Sequence, residues 1–176
     1  MSVTYAVSKV ATTFQVSYRA VGPVLGNYTY NTRRGFLQFD LAAEGISPGS
    51  IESAELQLVC ASVIGGGETF ILRSAIDPSG WSTTLDASSA DYQSTISVLE
   101  GSLAISTTGT KIWSVAPSSI NTAGVTYFRL QVSDEAAVAP ASKGATFASQ
   151  NHGTAANRPI LRLTLFTGQV IIVNII

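Results

Sequence analysis

The stretch 33-RRGFLQFDLAAEGISPGSIESAELQLVC-60 decides the fold. Leu37, Phe39 and Leu41 alternate with Gln38 and Asp40, and Ala54, Leu56, Leu58 and Cys60 alternate with Glu55 and Gln57. A period of two with one apolar face is the signature of a half-buried β-strand. Ser47-Pro48-Gly49-Ser50 supplies a turn between the two strands, because Pro fixes one backbone angle and Gly accepts the left-handed one that follows. The stretch therefore reads as a strand pair around which the remaining chain packs or extends.

Composition bounds what such a chain does. The 176 residues are enough for one well-buried core, and no shift in composition divides them, so a single domain over 1–176 is expected. Ten basic and eleven acidic residues give a net charge of −1, and only 12% of residues are charged. That balance leaves no electrostatic footprint for nucleic acid or for an anionic membrane surface. Hydrophobic residues make up 45% and mean hydropathy is +0.29, yet no run approaches the ~20 apolar residues of a membrane span. Apolar side chains in excess of a core point to subunit contacts, and hence to a homo-oligomer. The opening residues Met1 to Lys9 lack the basic leader and continuous apolar run of a secretory signal, so synthesis in a cytoplasm is expected. Cys60 is the sole cysteine, which rules out an internal disulfide and any multi-cysteine metal site. On an apolar strand face it reads as a small core residue.

Upstream, Phe14, Val16 and Tyr18 share one face of an alternating run, with a turn expected at Gly22-Pro23. Tyr28 and Tyr30 read either as an exposed aromatic pair on a loop or as strand packing. Asn27-Tyr28-Thr29 fits a glycosylation sequon that is idle without secretion. Downstream, Gly65-Gly66-Gly67 is a turn into a strand carrying Phe70 and Leu72. No Lys-Ser or Lys-Thr follows the glycines, which argues against a phosphate-cradling loop. Residues 81–110 are the least periodic and read as a long loop, where binding groups usually sit, so Trp81, Asp86, Asp91 and Tyr92 are candidate ligand contacts. Against that, Trp81 also suits a cap on the end of a sandwich. Lys111 to Val115 reads as a strand with Trp113 and Val115 on one face, and Pro117 to Asn121 as a helical turn. From Val125 to Ser133 the alternation is clean, with Thr126, Phe128, Leu130 and Val132 on one side and Tyr127, Arg129 and Gln131 on the other.

Two segments carry a family likeness. The first is R-G-F-L-x-F-D-L, the I-x-P-G link and I-x-S-A-x-L-x-L. The second is I-N-T-A-G-V-T-Y-F-R-L-Q-V-S-D at 120–134, followed by A-T-F-A-S-Q-N-H-G-T-A-A-N-R-P-I-L-R-L-T-L at 145–165. Together they resemble the DNRLRE-type jelly-roll domains over roughly 30–166, although the literal acidic-Asn-Arg run of the family name is absent. Such domains occur in secreted polysaccharide-processing proteins and, in a close variant, in phage structural proteins. The resemblance implies an all-β, two-sheet antiparallel jelly-roll β-sandwich, which we expect to have eight to ten strands. Residues 1–29 would be N-terminal strands and 167–176 a hydrophobic C-terminal strand outside the sandwich. Arg34, Asp40, Arg129 and Asp134 match charged positions of the family pattern and read as rim ion pairs worth little individually.

Candidate chemistry is sparse. His152 is the only histidine and lies in the polar connection Asn151-His152-Gly153-Thr154, beside no partner that a nucleophilic device would need. The acidic residues mostly flank turns, so nothing argues for an enzyme, and no cofactor motif is present. A structural calcium, as jelly rolls of the carbohydrate-binding type often hold, would draw on Asp77, Asp86 and Asp91, which are too scattered to form a motif. The tail Val170, Ile171, Ile172, Val173, Asn174, Ile175, Ile176 is strand-forming and apolar on both faces, so it is expected to pair with or pack against a neighbouring subunit. Expectation therefore centres on a non-enzymatic structural protein of a phage virion, a capsid decoration or tail component that contacts copies of itself and other virion proteins. The alternative is a carbohydrate-binding module that binds polysaccharide through Tyr28, Tyr30, Trp81, Tyr92 and Trp113 on an open face.

Overall fold

In the computed structural model of the protein, residues 13–24, 27–75, 98–133 and 142–174 are described, with the backbone path alone for 18–24 and 27–32. They form eleven strands: β1 (Thr13–Val24), β2 (Asn27–Arg33), β3 (Gly35–Asp40), β4 (Ile51–Ile64), β5 (Glu68–Ala75), β6 (Val98–Ile105), β7 (Gly109–Val115), β8 (Val125–Val132), β9 (Lys143–Ala148), β10 (Ile160–Leu165) and β11 (Val170–Asn174). Sheet B is β3-β8-β5-β6. Sheet A is built on β4, whose length lets it serve several partners. Leu56 pairs with Trp113 of β7 on one edge and with Leu161 of β10 on the other, while Cys60 pairs with Gly109 of β7 and Phe147 of β9. β10 and β9 therefore lie end to end along one edge of β4. β11 extends sheet A beyond β10, and β1 and β2 extend it beyond β9.

Pairing is antiparallel throughout and nested in chain order: β1 with β9, β3 with β8, β4 with β7, and β5 with β6. Four nested pairs rolled into two sheets are the jelly-roll arrangement, with β2, β10 and β11 as additions. The inner faces fill one core. Phe39 meets Phe128 edge to face at 5.9 Å, and Phe147 sits among Phe70 (5.6 Å), Phe14 (5.6 Å) and Trp113 (6.5 Å), joining strands of both sheets. Leu56, Leu58, Leu72, Leu130, Leu161 and Leu163 complete it.

The structure corrects several expectations. β3 and β4 are not partners: they lie in different sheets, so the turn at 47–50 belongs to a crossover. Alternation tells which face of a strand is buried, not which strand lies beside it. The turn itself forms, with Ser50 N donating to Ser47 O at 3.1 Å and Gly49 at φ 81°. Gly22-Pro23 is no turn but lies within β1, at a register shift opposite β2. Proline is tolerated there because β9 pairs with β1 only from Thr13 to Tyr18, so no second partner calls on its missing N–H.

The supposed loop 81–110 holds β6 and the start of β7. Its alternation was hidden by a bulge: Leu72 faces Gly101 and Arg73 faces Leu99, which leaves Glu100 as the extra residue. The glycine triplet is the β4–β5 turn, with φ of 64°, 84° and 95°, and side chains at Gly65 and Gly67 would collide with the Ser142 and Ile105 carbonyls. The sandwich is also not complete without the tail. Residues 170–174 form β11, hydrogen-bonded to β10 of the same chain, with Ile171 and Val173 turned into the core.

Candidate assembly surface

The β10–β11 hairpin is set by its turn. Gly168 N donates to Leu165 O at 2.8 Å and Leu165 N donates to Gln169 O at 2.9 Å, with Gly168 in the left-handed region at φ 78°. This is a type I turn closed by a glycine bulge. Phe166 at its tip is 71% exposed, while its N–H is anchored to Ser50 O at 3.0 Å, beside the start of β4. From the 165/169 pair, alternation makes 163/171 and 161/173 the next pairs that exchange hydrogen bonds. The N–H and C=O groups of Val170, Ile172 and Asn174 then point away from β10, toward an edge that carries no further strand among the described residues.

The outer face of sheet A is read row by row from the same registers. Ser114, Glu55, Arg162 and Ile172 lie side by side across β7, β4, β10 and β11, and the next row is Ile112, Gln57, Ile160 and Asn174. Ile112, Ile172 and Val170 are 48%, 42% and 49% exposed. Opposite charges at Glu55 and Arg162 face each other in the middle of this partly apolar surface. Sheet B differs. Over β3 and β8 its outer side is covered, with Phe36, Gln38 and Arg129 only 8%, 5% and 9% exposed, and exposure returns at the β6 edge, where Leu99 is 59% exposed.

Elsewhere the polar groups hold the fold together. Glu100, turned in by its bulge, accepts from the buried Ser74 hydroxyl and from Ala116 N at 2.7 Å, tying both sheets together near the end of β7. Lys143 and Glu68 approach to 3.9 Å beside the glycine turn. Asn121 accepts Ala123 N through its side chain at 3.2 Å, and its own N–H donates to Thr126 Oγ1 at 2.9 Å, which fixes the entry to β8. A shallow uncharged cleft of about 360 Å³ lies between the 47–50 turn and the 3-10 turn Pro117–Ser119, lined by Pro48, Ile51, Pro117 and Ile120.

The sequence-derived candidates divide as follows. Tyr28 and Tyr30 belong to strand β2 rather than to a loop. Trp81, Tyr92, Asp77, Asp86, Asp91, Asp134, Ile175 and Ile176 lie outside the described residues. Trp113 is 3% exposed, its ring against Phe147, so it offers no stacking surface. In the tail, Val170 and Ile172 are outward, whereas Ile171 and Val173 serve the core and are removed from the contact set.

His152 makes a local loop. Its Nδ1 accepts Thr154 N at 3.1 Å, its N–H donates to Ser149 O at 3.1 Å, and its carbonyl accepts Arg158 Nε at 3.0 Å. Among the described residues no three of His, Cys, Asp and Glu converge as a metal site would require, and no helix is long and apolar enough to cross a membrane. Cys60 faces the core, where burial pushes its thiol pKa up against the opposing influences of the Lys111 charge and a backbone hydrogen bond at Ser62. Sequence reasoning missed Glu100. A lone acid in V-L-E-G-S-L-A-I was the available signal, but its partner Ser74 is 26 residues away in sequence.

No protein family and no curated protein matches the chain.

Proposed function

We propose that this chain is a non-enzymatic structural protein of a phage particle, a head decoration or tail component that assembles through β-rich subunit contacts. The observation that carries the reading is the outer face of sheet A, where Val170 and Ile172 stand exposed on a strand whose edge is open among the described residues and Ile112 stands exposed on β7 across the same face. Exposed aliphatic side chains grouped on one sheet face suit association rather than catalysis. The virion assignment itself is supported by the sequence resemblance in 30–166.

Sugar binding is less well supported, because Trp113 is buried in the core and the described cleft, lined by Pro, Ile, Gly, Ser and Thr, has no flat aromatic. The test is light scattering on the full chain together with mass spectrometry of purified particles. An oligomer that is also a particle component is expected. A monomer absent from particles contradicts the proposal, and a monomer that binds polysaccharide replaces it with the sugar-binding alternative.

A further inference from the structure

Sheet edges invite pairing with other chains, and proteins protect them with charges, prolines and bulges. Five strands of this molecule have an open edge among the described residues: β2, β7 and β11 in sheet A, and β3 and β6 in sheet B. Four are protected. β2 ends in Arg33, β3 carries the exposed Asp40, β6 has Glu100 at its bulge, and β7 carries Lys111. β11, Val-Ile-Ile-Val-Asn, has no charge and no proline, and its pairing with β10 is regular over all five residues.

We propose that β11 is the docking site for a second copy of this chain, which adds edge to edge and antiparallel about a two-fold axis at Ile172. The inference rests on the assembly reading above and names its partner. Three observations favour a second copy. The outward-directed backbone groups belong to Val170, Ile172 and Asn174, so an axis at Ile172 engages all three at once: Ile172 pairs with its own counterpart, and Val170 with the partner's Asn174. The side chains thereby brought together are aliphatic or amide, with no like charges opposed. The nearest charge in that row, Arg162, lies one strand further in, so the two Arg162 side chains are three strand spacings apart, ~14 Å and beyond the screening length at physiological salt. The product is a sheet continuous through both subunits, with the exposed aliphatics of sheet A along one face.

The test uses the full chain in light scattering and thiol cross-linking. The wild type is expected to be a dimer and Ile172→Lys a monomer with unchanged circular dichroism. Ile112→Lys, on the same face but away from the β11 edge, should remain dimeric. Ile172→Cys should cross-link on copper-phenanthroline oxidation, since directly opposed hydrogen-bonded residues have Cα atoms ~5.5 Å apart, within disulfide range. Val170→Cys should not, because its counterpart is four residues out of register, ~14 Å away. The native Cys60 is buried and does not compete.

A dimer that survives Ile172→Lys, or an Ile172→Cys protein that fails to cross-link, overturns edge pairing and leaves the assembly reading standing. A wild type that is monomeric alone yet present in particles overturns the second copy, and loss of Ile172→Lys from those particles would assign the edge to another virion protein. A monomer absent from particles defeats both proposals.

Discussion

The two sheets of this jelly roll treat their outer faces differently. β3 in sheet B is buried at five consecutive positions, Gly35 to Phe39, including Phe36 and Gln38, which point away from the core. β4 in sheet A alternates, with Glu55, Gln57 and Val59 half-buried between fully buried neighbours. A strand buried on both faces is an interior layer, whereas an alternating strand has one face open to solvent or to a partner. Because the burial of Phe36, Gln38 and Arg129 arises within a single chain, sheet B has little outer surface left there for another molecule. Sheet A still has one, and its least protected edge lies at β11.

Substitutions sharpen this contrast. The largest effect is expected where the sheets meet: Phe39→Ala or Phe128→Ala should cost ~3–5 kcal/mol in urea unfolding, since both rings are buried and packed on each other. Unchanged unfolding midpoints in both variants would refute the inward assignment. Next comes a matched pair on the outer faces. Phe36→Ala in sheet B should cost about 3 kcal/mol, whereas Ile112→Ala in sheet A should stay within roughly 0.5 kcal/mol. Equal costs would erase the distinction between the faces. Glu100→Ala should destabilise by ~1–3 kcal/mol, because the buried Ser74 hydroxyl and Ala116 N–H lose their acceptor; Glu100→Gln, which keeps an acceptor oxygen, should cost less.

The smallest effect concerns pH. The Cys60 thiol has a raised pKa in the folded state, so the stability it contributes is present below the ordinary thiol range and is lost as pH rises through the folded value. Cys60→Ala should flatten that alkaline slope in thermal melts. An identical slope in both proteins would count against the burial of the thiol.

How far the sequence could be read follows from the same physics. Inward faces were legible wherever alternation was unbroken: Leu37 and Phe39, Leu56 and Leu58, Phe128 and Leu130 all lie in the core as the period of two required. Partners were not legible, because β3 and β4 are adjacent in sequence but lie in opposite sheets. One-residue irregularities also misled. The bulge at Glu100 disguised β6 as a loop, and Gly22-Pro23 imitated a turn inside β1. The tail was recognised as a strand, but apolarity on both faces suggested a separate element. Its inward Ile171 and Val173 complete the core, and only its outward residues remain for a neighbour. Of the stretches that hold candidate site residues, β11 was legible as a strand because a run of β-branched residues announces one, and a polar-rich loop offers no such signal.

The central claim, that sheet A ends in an open edge at β11 which a second copy completes, is tested most directly by residue-resolved amide exchange measured at low and high protein concentration. The amides of Ile171 and Val173, bonded to β10, should exchange slowly at both concentrations, whereas those of Val170, Ile172 and Asn174 should be fast when dilute and become protected when concentrated. Uniformly fast exchange of Val170, Ile172 and Asn174 at every concentration would contradict the account.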